Sequence, residues 1–234
     1  MLRSLWLVPL VALTYGGWAA ITVRDLPDYV VAGQPVTLTF TVRQHGVRLL
    51  SGLSASVDAR SGDDRVTTAA APGRGEGQYV ATLTLPRSGE WSITIHSGFG
   101  NSRVTLLPVR ALAAGMPAPA ALAERERGRR LFVAKGCVTC HVHGDVAGSG
   151  VVPVGPELTA IRLPADFLAQ FLANPAIAAK NGTFQMPNLD LTAQEIAALV
   201  AFLGGERRGA SAPSSSHFPR IASTLHGPGP AAER

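Results

Sequence analysis

Two cysteines three positions apart, followed at once by a histidine, are the residues of this chain best suited to chemistry: Cys137-Val138-Thr139-Cys140-His141. Two sulfurs on one helical turn beside an imidazole have four uses. They exchange a disulfide, as in a thioredoxin-like site, or supply half of a zinc site. They close a structural disulfide in an exported protein. Or they anchor a c-type haem, each sulfur bonding a former vinyl carbon while the histidine turns under the ring and offers Nε2 to iron. A thiol–disulfide motif needs a preceding strand in a βαβ unit, and residues 121–136 read as helix. Zinc wants further ligands at close spacing; His143 is near, but no second pair follows.

The surrounding chain separates these readings. Fifteen residues after Cys140 comes Gly155-Pro156-Glu157-Leu158, and Met186-Pro187-Asn188 begins forty-five residues after His141. A capped helix follows. With these motifs in this order, residues 121–203 resemble a class I, mono-haem cytochrome c, over about a third of the chain. The resemblance implies one covalently attached haem c. Cys137 and Cys140 would be its thioether anchors, His141 the proximal iron ligand and Met186 the distal one. The carbonyl of Pro156 would accept the hydrogen bond from the other ring nitrogen of His141, fixing its tautomer. Gly128, Phe132 and Phe202 match positions where the first and last helices cross.

Two filled axial positions imply one-electron transfer rather than bond chemistry, hence no catalytic residues and no enzyme activity of its own. The alternative is a haem subunit that wires electrons to a catalytic partner enzyme. Expected partners are redox proteins, including membrane respiratory or photosynthetic complexes. Arg129, Arg130, Lys135, Arg162 and Lys180 are candidates to steer an acidic partner, against an ordinary solvated surface. His143, tethered on the proximal side, reads as solvent-exposed.

Three helices must position these groups. Residues 121–134 place Gly128 and Phe132 on one face. Residues 164–173 open on a proline and carry Phe167, Leu168, Phe171 and Leu172 as a stripe; with Leu199 these should bury the haem. The third opens at Thr192 with Glu195 three residues on, a capping box, and stops at Gly204-Gly205.

Residues 20–110 have a different period. Val36, Leu38, Phe40 and Val42 alternate with threonines, as do Tyr79, Ala81, Leu83 and Leu85, and Trp91, Ile93 and Ile95. Shorter strands are expected near residues 53–57, 66–68 and 104–106, with turns at Gly, Pro and Asp clusters. About seven such strands predict an all-β immunoglobulin-like sandwich whose core rests on Trp91, Phe40 and Tyr79. Residues 77–91 are similar to immunoglobulin-like YtkA domains, some linked to copper handling. This domain offers copper only His45 and His96, which makes a copper-handling protein with a redox haem a weak further alternative. A docking or spacer module is the plainer reading.

The expected organisation is therefore multidomain. It comprises a signal peptide or membrane anchor at 1–19, the sandwich at 20–110, a linker at 111–120, the all-α cytochrome c fold at 121–204 and a disordered tail at 205–234. Arg3 followed by an uncharged stretch over 4–23 is an export pattern. Cleavage after Ala19 and a retained anchor compete, and either sends the chain to the periplasm, with the membrane reachable only through this segment. A formal charge of +5 is spread thinly: nine Arg against seven acids over 21–116, and eleven Lys and Arg against nine acids over 117–234. No basic cluster supports nucleic-acid binding. Two cysteines exclude a multi-disulfide scaffold.

Overall fold

The structure is a computed structural model and describes residues 17–146, 152–178 and 186–204. Its first half is all β. Eleven strands among the described residues, numbered in chain order, form two sheets. The first runs β1 (Ala19–Val23), β3 (Pro35–Gln44), β8 (Gln78–Thr84) and β7 (Ala71–Pro72), with β4 (Arg48–Leu49) also on β3. The second runs β2 (Tyr29–Val31), β11 (Val109–Leu112), β9 (Gly89–His96), β5 (Ser56–Ser61) and β6 (Asp64–Ala69), with β10 (Arg103–Thr105) also on β9.

Alternation decides which faces meet. Leu38, Phe40 and Val42 of β3, Tyr79, Ala81 and Leu83 of β8, and Trp91, Ile93 and Ile95 of β9 are all buried in one core. The expected aromatic centre is there: Phe40 stacks on Tyr79 with centroids 5.8 Å apart. Their polar handles are satisfied. The Tyr79 hydroxyl donates to Leu50 O at 2.8 Å and accepts from Leu53 N at 3.0 Å, and Trp91 Nε1 donates to Arg87 O at 3.0 Å.

Five strands escaped the sequence reading, β4 and β7 among them at two residues each. β2 and β11 are short and pair in parallel, Ala111 opposite Val30, so β11 reaches two residues into the segment read as linker. β1 lay within the apolar run read for export. Yet Ala19 is buried and stands opposite Gln44, and its N–H donates to Ser102 Oγ at 2.8 Å. One residue earlier, Trp18 O accepts from His45 N at 3.0 Å. The expected cleavage point after Ala19 thus falls inside a paired strand. Among the described residues no helix is long and apolar enough to cross a membrane. The rest of the export segment and the tail read at 205–234 lie outside the described residues.

The second half is helical: α1 (Glu124–Ala134), α2 (Ala165–Ala173) and α3 (Ala193–Leu203). α1 starts three residues later than expected, with Glu124 and Glu126 in its first turn facing the positive end of the helix dipole. Pro164 is the N-cap of α2 rather than its first residue. Both legs of the Thr192–Glu195 capping box on α3 are present. α1 and α3 cross at Gly128, where an added Cβ would lie 1.9 Å from Ala198 O. Phe132 and Phe202 flank the crossing, 5.6 Å apart and fully buried.

Candidate functional site

α1 ends directly above the cysteines. Gly136 takes a left-handed turn (φ 79°), and Cys137–Thr139 make one 3₁₀ turn. His141 N donates back to Cys137 O at 2.9 Å, which wraps the Cys-x-x-Cys-His run tightly enough to turn all three side chains to one cavity. The segment after it is laced alongside. Val152 N donates to Thr139 O at 2.8 Å, Gly155 N to Cys140 O at 3.0 Å and Leu158 N to Val142 O at 2.8 Å. This lacing presents Pro156 O to His141 Nδ1 at 2.9 Å. With Nδ1 so engaged, Nε2 is the ring nitrogen available to a metal. Gly155 has a reason the sequence reading missed: a Cβ there would lie 2.3 Å from His141 Cε1. The imidazole lies directly on bare backbone.

The cavity has a volume of about 450 Å³ and overwhelmingly apolar walls. Cys137, Cys140, His141, Pro156 and Met186, every residue singled out from the sequence as a haem contact, line it. Phe167, Leu168, Phe171 and Leu199 line it too, as expected. Phe167 and Phe171 stack one helical turn apart with ring planes 11° from parallel. Phe167 is nonetheless 41% exposed and Val154 43%. Large apolar side chains around an open cavity are what a flat apolar ligand would cover. Two thiols, a tautomer-fixed imidazole and a thioether on such a cavity fit a haem bound through both sulfurs and both axial sites.

The electrostatics discriminate among the other uses of the cysteines. Both are free thiols. Burial, followed by the neighbouring Cys140, pushes Cys137 up to about 12, and burial pushes Cys140 up to about 11. A thiol–disulfide catalyst needs the opposite shift, toward thiolate at neutral pH. Burial also lowers the pKa of His141, against the hydrogen bond it makes to Pro156 O, and so favours the neutral, ligating imidazole. Among the described residues no group of three or more His, Cys, Asp or Glu could hold a metal ion.

Two expectations need correction. His143 is not solvent-exposed. It is 6% exposed, its ring 4.4 Å from Phe202 and 5.8 Å from Phe132, and its Nδ1 accepts from Asp145 N at 3.2 Å. Proximity to His141 in sequence did not decide its environment; the crossing of α1 and α3 did. Nor is Lys135 a surface charge free to steer a partner. Lys135 is 4% exposed and pairs with Glu195. Arg129 and Arg130 both bind Glu126, and Arg130 also donates to Pro108 O at 2.9 Å. Arg162 donates to two nearby carbonyls. Lys180 lies outside the described residues. The two histidines considered for copper lie apart with different neighbours: His45 in the turn between β3 and β4, against Trp18, and His96 at the end of β9, its Nε2 3.7 Å from Asp58.

Residues 123–203 match the family model described as cytochrome c oxidase, cbb3-type, subunit III. The match supports a C-terminal cytochrome c domain, an electron-carrying haem module rather than a catalytic one. No curated protein matches the chain. Solved structures similar to it align mainly at low overlap. The Escherichia coli adhesin FdeC is 22% identical, covering 42% of this chain and 32% of that one, with TM-score 0.32. A superoxide reductase (neelaredoxin) from Ignicoccus hospitalis is 17% identical over 43% and 86%, with TM-score 0.29. A putative glycoside hydrolase from Bacteroides vulgatus is 18% identical over 38% and 17%, with TM-score 0.29. The chain thus spans 17%, 32% and 51% of the first three solved chains it matches.

Proposed function

We propose that this protein is a mono-haem c-type cytochrome that passes one electron at a time between redox partners outside the cytoplasmic membrane. One observation carries the reading: Cys137, Cys140, His141 and Met186 converge on a single apolar cavity, with His141 Nδ1 held by Pro156 O. Bound haem c supplies the one-electron iron couple. The chain's own residues do the rest. Cys137 and Cys140 would hold the group through their sulfurs. His141, oriented by Pro156 and packed on Gly155, would offer Nε2 to its iron. Met186 offers a soft thioether, which favours the reduced state and raises the potential relative to a second nitrogen ligand. Phe167, Leu168 and Leu199 exclude water from the faces.

The β domain acts as a docking or spacer module, and a membrane respiratory complex is the partner that the matched family's description suggests. Because Ala19 pairs in the first sheet and Trp18 O accepts from His45 N, we place any processing upstream of both; without processing the N-terminal segment serves as an anchor.

The test is direct. Protein made in a host competent for c-type haem attachment should be red and retain its haem in acidic organic solvent, whereas Cys140→Ala should release pigment. Met186→Ala should keep the haem, lower its potential and bind cyanide rapidly. A colourless, iron-free product defeats the reading; an unchanged potential places the distal ligand elsewhere.

A further inference from the structure

The mechanism leaves one buried charge unused. Lys135 stands two residues before Cys137, 4% exposed, with its ammonium between three parts of the molecule. Nζ donates to Arg24 O, just past β1, at 2.8 Å and pairs with Glu195 Oε1 at 2.5 Å. Its own carbonyl accepts from the Thr22 hydroxyl at 3.3 Å, and Arg43 donates to that hydroxyl at 3.2 Å. β1 therefore grips Lys135 at both ends. The grip continues at Gly136, where a Cβ would lie 2.5 Å from Ile21 O. A lysine so buried is held by its partners, since an unpaired charge there would be costly.

Glu195 leads onward to the distal ligand. Its other oxygen accepts from Thr192 N at 2.9 Å, the second leg of the capping box. Thr192 closes the loop that starts at Met186, within which Asn188 Oδ1 accepts from Asp190 N at 2.9 Å. One ammonium thus ties the β domain to the turn that bears Cys137 and to the base of the Met186 loop. We propose that Lys135 is a positioning residue through which the β domain steadies Met186 on its ligand; this rests on the haem reading above. The β domain is then part of the redox site rather than a passive spacer.

A double-mutant cycle on the full-length, haem-loaded protein tests it. Imidazole displaces Met186 from ferric haem, and loss of the methionine-to-iron charge-transfer band reports the displacement. Thr22→Val and Glu195→Gln do not touch each other, and Gln keeps an acceptor for Thr192 N. Each should lower the half-displacing imidazole concentration about threefold or more. The double variant should go little beyond the larger single one, and Lys135→Met should match it. Thr22→Ser, which keeps the hydroxyl, should behave as wild type. An unchanged titration for Thr22→Val, effects that multiply in the double variant, or failure of Thr22→Ser to restore the wild-type value would overturn the proposal. A wild-type protein lacking the band defeats the axial-ligand reading itself, and this proposal with it.

Discussion

The two halves of this chain build their cores differently. In the β domain Phe40, Trp91 and Ile95 are fully buried among other side chains. In the helical module the α1–α3 crossing is equally tight, but on its other side Leu163, Phe167 and Val154 stand 38%, 41% and 43% exposed around a cavity. One core is complete in amino acids alone. The other leaves large apolar side chains lining an open cavity. Apolar surface left in water costs free energy in proportion to its area, so the helical module should depend on its ligand for stability and the β domain should not.

The strongest way to break that contrast is to withhold the haem. Cys137→Ser/Cys140→Ser protein, or wild type from a host without haem attachment, should lose cooperative melting and amide-exchange protection in residues 124–203. Strands β3, β8 and β9 should keep theirs. Equal protection in both halves would show that the helical core is self-sufficient.

The next test reverses the roles. Trp91→Ala should cost the β domain about 3–5 kcal/mol by denaturant titration, the usual range for an aromatic removed from a closed core. The haem spectrum should change far less than the β-domain stability. Gly128→Ala is smaller and acts on the helical side. Its methyl must push α1 from the Ala198 backbone, so about 1–3 kcal/mol is expected. Here the loss should appear in the haem-bearing transition.

The smallest effect concerns the seam between the halves. The hydrogen bond from Arg129 holds the Glu126 carboxyl below its ordinary range. A carboxylate whose folded pKa is lowered stabilises the fold above its unfolded pKa and loses that contribution as pH falls through the folded value. Acid should therefore weaken the fold of the wild type more than that of Glu126→Gln. With both side chains of the Glu126–Arg129 pair about a third exposed, the difference at neutral pH should be only about 0.2–0.5 kcal/mol and shrink with salt. A larger difference would mean that Arg130, bound both to Glu126 and to Pro108 O, locks the two halves together.

The candidate site residues were legible because their chemistry is local. Cys137, Cys140 and His141 fit on one turn, Thr192 and Glu195 on one helix start, and alternation along β3, β8 and β9 needs no knowledge of the partner strand. What escaped was decided by segments far apart. β1 reads as part of an apolar leader until Gln44 and Ser102 supply its pairing. β2 and β11 are too short to carry a period and exist through their mutual ladder. Lys135 and His143 read as ordinary surface residues because single-sequence rules place Lys and His outside unless a partner is visible. Their partners, Glu195 with Arg24 O and Phe202 with Phe132, lie up to 111 positions away in Lys135's case.

By itself the sequence determined the Cys-x-x-Cys-His turn, the Met186-Pro187 motif and the alternation of the β half, since each is written in spacings of a few residues. Only the tertiary structure decided that Gly155 must be bare, that Lys135 is buried against Glu195, and that Thr22 and Arg24 hold it two residues before Cys137. Those outcomes depend on which distant backbone and which charge arrive at the same place, and that is a property of packing, not of spacing.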